Sequence, residues 1–307
     1  MAIELTAETG QAITQRRPLV ALESAYITHG LPWPVNYRTA LEAEQAVRDA
    51  GAVPATIALI AGRIQVGLLP EQLAELAQTQ SHKASARDIA ALASLGAWAG
   101  TTVAGTLRIA GRLGHVRVMA TGGIGGAHPY QAGTWDISAD LSELSRVPLV
   151  VVCCGPKSFL DLHQTWEFLE TLSVPVLGWR TEEMPAFYMR TSGIRLGHTF
   201  ESLEMLAQAI ALHWRLGGRG VLVVQLPPHT LAYSAEEWQE LMRRAQPVLA
   251  TLPSGPQATP AWLAALAGIA GQRLLDLNRQ LIVANAQLAA QLATQIAAIS
   301  VEIAPTR

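Results

Sequence analysis

Several short runs of this chain are apolar along nearly their whole length, and that constrains the fold more than any other feature. "RPLVALES" (Arg17 to Ser24), "VRVMATGG" (Val116 to Gly123), "VPLVVVCC" (Val147 to Cys154), "VPVLGWR" (Val174 to Arg180) and "GVLVVQLP" (Gly220 to Pro227) each read as a strand. A strand apolar on both faces needs cover on both, which is the situation of parallel sheets held between two helical layers. Helical patterns fall between these runs: Tyr37 to Gly51, Leu69 to Gln78 with Pro70 in its first turn, Lys157 to Leu172, and Ser202 to Arg215. "VPATIALIAGRIQVGL" (Val53 to Leu68) reads as two strands turning at Ala61-Gly62. After a loop over Pro253 to Pro260, an Ala-, Leu- and Gln-rich segment to about Ile299 reads as two helices. The expectation is a three-layer α/β/α fold with a mostly parallel, mixed central sheet, forming a single domain over residues 1–307.

Half the residues are hydrophobic and 15% are charged, which supplies a large core and excludes a disordered chain. The formal net charge is −2 and no basic stripe is visible, so no nucleic-acid partner is expected. The N-terminal "MAIELTAETGQAI" lacks a basic region followed by an apolar one, so no secretory signal is read there. No unbroken apolar run approaches the ~18 residues of a membrane span. The only cysteines, Cys153 and Cys154, are neighbours in one strand, where they point to opposite faces and cannot easily pair. Two small buried hydrophobes in a reduced, cytoplasmic protein is the expectation.

In open α/β sheets, ligands bind beyond the carboxyl ends of the strands. The residues that follow each strand are therefore the candidates. The chain has twenty arginines and only two lysines, Lys83 and Lys157. Lys157, in "GPKS", follows an apolar strand and is read as opening a helix. A lysine made neutral by partial burial and a helix dipole can attack a carbonyl to give a Schiff base, which arginine cannot do. A snorkelling lysine at an exposed helix start is the plainer reading, and both stand at this point. Glu23 ends an apolar strand, either as an active carboxyl or as a buried cap or ion-pair partner. Lys83, in "SHKASARDIA", is read at a loop-to-helix transition with Ser85 as possible N-cap. "TGGIGGAH" has neither the Rossmann nor the Walker spacing, and it suits a ligand loop or a tight structural loop equally. Asp136 and Asp140, in "TWDISADL", could bind a hard divalent cation or serve as caps. The eight histidines show no zinc-ligand spacing.

Together these pieces resemble the pseudouridine-5′-phosphate glycosidase family, also called the indigoidine synthase A family. The resemblance rests on "ALESAYITHGLPWPVN", "GAVPATIALIAGRIQVGL", "KASARDI", "GTTVAGT", "ATGGIGGAH", "TWDISADLSEL", "VVCCGPKSFLD" and "TEEMPAFYMRTSG", in family order over nearly the whole chain. It implies reversible cleavage of a C–C glycosidic bond to uracil and ribose 5-phosphate, through a ring-opened sugar joined to a lysine as an iminium. By resemblance, Lys157 is the Schiff-base nucleophile and Glu23 the proton donor. Lys83 contacts substrate, as do Val103, Ser138, Ala139 and Asp140. Asn278 matches an amide near the uracil site, and an amide can both donate to and accept from a uracil edge. His128 is placed near the phosphate. Asp136 matches the metal ligand, with waters completing the shell of a manganese or magnesium ion. A cytoplasmic homotrimer is implied as well.

The chain departs from the family pattern at several points. Pro129 stands for an Arg, Gln225-Leu226-Pro227-Pro228 for "NPIP", Gly255-Pro256 for "GK", Glu182 and Met184 for Asp and Phe, and Ala284-Asn285-Ala286 for "NNA". The iminium residues are intact, so the departures are expected on the rim that holds phosphate and base. Two other classes are kept open by the residues: a different Schiff-base enzyme, such as an aldolase acting on a related sugar phosphate, and a non-catalytic sugar-phosphate-binding protein.

Overall fold

The computed structural model of the protein describes residues 3–129, 135–252 and 258–299. Its strands are β1 (Ile3–Leu5), β2 (Leu19–Leu22), β3 (Val53–Ile60), β4 (Arg63–Val66), β5 (His82–Ala84), β6 (Ala99–Thr101), β7 (Val118–Ala120), β8 (Val150–Cys153), β9 (Val176–Trp179), β10 (Thr199–Phe200) and β11 (Val221–Val224). They form one sheet in the order β1-β4-β3-β2-β7-β8-β11-β9-β10, with β6 paired to β3 and β5 paired to β6. The central register aligns Val20 with Val118, Val118 with Val150, and Val150 with Val221, all parallel. Among the strand pairs of the described residues, only β3 with β4 and β3 with β6 run antiparallel. The β3–β4 hairpin turns at Ala61-Gly62, as its sequence predicts.

The central strands β2, β3, β7, β8 and β11 are buried from end to end because two helical layers cover them. One face packs Val20, Leu22, Val150 and Val152 against helices Val35–Asp49, Leu203–Arg215, Ala235–Leu249 and Gln272–Ala298. The other packs Leu19, Ala21, Val151 and Val224 against helices Ala7–Thr14, Val103–Ala110, Ala139–Leu144 and Leu162–Thr171. This is the expected three-layer, mostly parallel fold. Cys153 belongs to one face and Cys154 to the other; both are free and buried. Helix Gln272–Ala298 is long and apolar enough to cross a membrane by length and composition. Here it is a core helix, with Leu277, Leu281, Leu288 and Leu292 buried as it packs on β2, β7, β8 and helix Val35–Asp49.

Two sequence expectations are corrected. Lys157 does not open a helix: the helix begins at Leu162, capped by Asp161, whose side chain accepts from the Gln164 N–H. The Ser-Phe-Leu stretch after Lys157 forms a turn first, so no helix dipole acts at the lysine. Lys83 lies within β5, not at a helix start, and Ser85 caps nothing. Instead its backbone N–H donates to Asp88 Oδ2 at 3.1 Å. Of the loop expected over Pro253 to Pro260, positions 253–257 lie outside the described residues, and Ala258 already begins a helix, Ala258–Ala270.

Candidate active site

The parallel strands deliver their next residues to one end of the sheet. Glu23 follows β2, Thr121 follows β7, and Lys157 follows β8 after a sharp turn. That turn needs Gly155: its φ is +81°, and a Cβ there would lie 2.0 Å from the Pro185 carbonyl oxygen. Beyond β6, Thr102 caps helix Val103–Ala110 by accepting from the Gly105 N–H, which fixes Val103 at the helix start. Ser138 caps helix Ala139–Leu144 in the same manner, accepting from the Asp140 N–H.

These residues surround a cavity of about 380 Å³. All ten residues singled out from the sequence line it: Glu23, Lys83, Val103, His128, Asp136, Ser138, Ala139, Asp140, Lys157 and Asn278. Both lysines of the chain therefore face one space. Lys157 Nζ donates to the Gly123 carbonyl oxygen at 3.1 Å. Glu23 is 9% exposed, and its carboxylate accepts a short hydrogen bond from the Thr121 hydroxyl. Burial pushes the Glu23 carboxyl up to about 7, although the charge on Lys157 and the Thr121 hydrogen bond pull it back. Burial also lowers the pKa of Lys83, and the charge of Lys157 adds to the effect, while Asp140 and Glu23 oppose it.

Asp140 has a tighter role than a substrate contact. Its two carboxylate oxygens accept from the Ala104 N–H at 2.9 Å and the Gly125 N–H at 2.8 Å, tying a helix start to the glycine loop. The glycines of that loop are packing glycines. Gly125 lies against Ser138 and Gly126 against Thr165, so a Cβ at either would clash. His128 closes one side: its ring neighbours Phe159 and Trp262, and its Nε2 stands 4.0 Å from Asp136 Oδ2. Burial lowers the His128 pKa, with Asp136 acting against that shift. Asn278, from the core helix, presents a buried amide that makes no hydrogen bond among the described residues.

The sequence reading passed over Tyr26, His29, Arg87, Phe187 and Leu263, which also line the cavity. Three of these sit in segments already marked, Tyr26 and His29 in "ESAYITHG" and Arg87 in "KASARDI". Leu263 comes from an Ala-rich helix with no chemical signal. A supporting amide was also missed. Asn285 is fully buried behind the loop, donating to Thr121 O at 2.7 Å and Gly122 O at 3.3 Å, and accepting from Gln225 Nε2 at 2.8 Å.

Comparison with known proteins shows the family. The family model described as "Indigoidine synthase A like protein" matches residues 8–295. The chain belongs to this family. It is 42% identical over 295 residues to pseudouridine-5′-phosphate glycosidase 2 of Photorhabdus laumondii, covering 95% of this chain and 94% of that protein. It is 40% identical over 304 residues to the pseudouridine-5′-phosphate glycosidase of Escherichia coli K12, covering 95% of each. Among solved structures, the prealnumycin C-glycosynthase AlnA, in complex with ribulose 5-phosphate, superposes with a TM-score of 0.87 at 35% identity, covering 97% of this chain and 98% of that one. An indigoidine synthase A-like protein of Thermotoga maritima gives 0.87 at 29% identity over 97% of both chains.

Membership sharpens the meaning of the departures. Pro129, Glu182, Met184, Gln225 to Pro228 and Ala284 to Ala286 do not line the cavity, which corrects the expectation of an altered rim. Gln225 sits behind the site, bonded to Asn285. Gly255 and Pro256 lie outside the described residues.

Proposed function

We propose that this cavity makes and breaks the C–C glycosidic bond of pseudouridine 5′-phosphate, yielding uracil and ribose 5-phosphate. The observation that carries the reading is the meeting of both lysines with a buried carboxyl titrating near neutrality. The chemistry is easiest to follow toward synthesis. The Lys157 amine condenses with the aldehyde carbon of open-chain ribose 5-phosphate, and water leaves as the iminium forms. The electron-rich C5 of uracil attacks that carbon, the iminium π electrons return to nitrogen, and the C5 proton passes to the Glu23 carboxylate. The sugar hydroxyl then closes the ring and displaces the lysine amine. Cleavage is the reverse, so it needs Glu23 as the acid and consumes one water. A carboxyl near 7 exchanges its proton readily in either direction at neutral pH.

Lys83 offers an ammonium to the anionic sugar phosphate, and Asn278 an amide to the uracil edge. Asp136 suits a hard cation: its side chain is 35% exposed, and the His128 ring nitrogen Nε2 stands 4.0 Å from its carboxylate. No group of three acidic, histidine or cysteine side chains is poised for a metal among the described residues, so water would fill most of the shell. A manganese or magnesium ion held there would supply positive charge to substrate oxygens. The reading brings with it a cytoplasmic homotrimer, supported on the first point by two free, buried cysteines.

The likeness to AlnA favours a second reading, in which the same lysine joins a sugar phosphate to another carbon nucleophile. Borohydride trapping with ribose 5-phosphate, followed by peptide mass mapping, decides between them. A reduced adduct on Lys157, together with pseudouridine 5′-phosphate formed when uracil is present, is the expected outcome. An adduct without that product transfers the chemistry to another acceptor. Absence of an adduct from folded protein refutes the Schiff base.

A further inference from the structure

A second cavity, of about 480 Å³, opens at the opposite end of the sheet. Its volume falls in the range of small-molecule sites. Arg16, Arg17, His115 and Arg117 line it together with an apolar wall of Ala293 and Ile296 from the core helix, and no Asp or Glu does so. Arg117 is the telling member. It is half-buried, and its guanidinium makes no hydrogen bond or ion pair among the described residues. Burial alone shifts its pKa, downward, with no compensating carboxylate. The Arg16 guanidinium likewise makes no hydrogen bond or ion pair among the described residues, and the residue is held at the turn between helix Ala7–Thr14 and β2 with φ +54°. Arg17 is felt electrostatically by Glu8, which is already engaged by Arg48. Desolvating a cation without a partner is unfavourable, as at Arg117, and the exposed guanidiniums of Arg16 and Arg17 add like charge at its mouth.

We propose that this cavity is a binding site for a small phosphate-bearing metabolite, separate from the lysine cavity. Three guanidiniums can meet the oxygens of a dianion with charge-assisted hydrogen bonds, and the Ala293–Ile296 wall accepts an apolar part. A pocket this size admits a small molecule and not a nucleic-acid backbone, in keeping with the chain's net charge of −2. The two cavities lie at opposite ends of the same elements. Pro18 and Leu19 line the second cavity while Glu23 follows β2 into the first, a span of roughly 16 Å at ~3.3 Å per residue. The core helix likewise runs from Asn278 at one cavity to Ile296 at the other.

The test is calorimetric titration of the full chain with inorganic phosphate, against sodium chloride at matched ionic strength. Wild-type protein is compared with Arg117→Ala and with Arg16→Ala, a change at an exposed residue that leaves the core untouched. Each variant is expected to lose about tenfold to a hundredfold in affinity for one phosphate site, while phosphate binding in the lysine cavity stays. Isotherms of both variants that overlay the wild type overturn the proposal. So does an equal response to chloride, which would mark simple screening.

Discussion

Glu23 offers the most exacting test of the site, because its burial has a thermodynamic signature separate from catalysis. The carboxyl moves from an ordinary 4.5 to about 7 in the folded protein, driven by burial. A raised acid pKa means that the neutral form is favoured on folding. Below the unfolded value both states hold the proton and nothing is lost. As pH rises from the unfolded value to the folded one, the unfolded chain ionises while the native state still holds its proton, so stability falls and the loss is complete once the folded value is passed. The shift corresponds to about 3 kcal/mol, at 1.36 kcal/mol per tenfold change in proton affinity. Glu23→Gln keeps the shape and an oxygen that can accept from the Thr121 hydroxyl, but it cannot ionise. The variant is therefore expected to match the wild type near pH 4.5 and to exceed it in stability by about 3 kcal/mol at pH 8.5. Urea denaturation across that range measures the difference. Turnover should meanwhile fall by about 10²-fold or more with loss of the acid, and wild-type cleavage should decline as pH passes upward through about 7. A stability difference that stays flat with pH would refute the buried-carboxyl argument, whatever happens to the rate.

Other perturbations read the supporting structure. Lys157→Arg retains the charge but should abolish both turnover and borohydride trapping; surviving activity would remove the lysine from the mechanism. Asp140→Asn places an NH₂ against one of two backbone N–H donors, so it should cost about 1–3 kcal/mol in urea midpoint analysis and raise KM as the glycine loop loosens. Asn285→Leu strips partners from Thr121 O and Gln225, and should cost about 2–3 kcal/mol with a drop in kcat, although it touches no cavity. Asp136→Ala should shift the manganese dose–response of activity to higher concentration; an unmoved curve would exclude it as a ligand.

The sheet was readable because burial on both faces leaves no room for polar residues in β2, β7, β8 and β11. The short strands were not. β5, "HKA", is three residues long with an exposed first position, and only its parallel partner β6 makes it a strand. From sequence alone Lys83 therefore reads as a loop-to-helix transition. The apolar pattern runs on through Phe159 and Leu160, so the sequence places the helix start at Lys157, five residues too early. The corrective signal was Asp161, an N-cap residue ahead of Gln164. The gathering of site residues was legible from strand ends and family motifs. The backing was not: Gln225 and Asn285 are 60 positions apart and meet only after the core helix docks on the sheet. Reading Gln225 as a rim change therefore put it on the wrong side of the loop.

The scarcity of lysine gives the molecule an unusual chemical blankness. Its twenty arginines hold the surface charge, and the only two side-chain amines look into one chamber. A reagent that seeks amines meets almost no competing background on the exterior. Modification by pyridoxal, by fluorescent aldehydes or by amine-directed crosslinkers thus becomes a report on the chamber itself. Whatever molecule fills it should shield both positions together, so occupancy could be counted by labelling alone, without any assay of turnover.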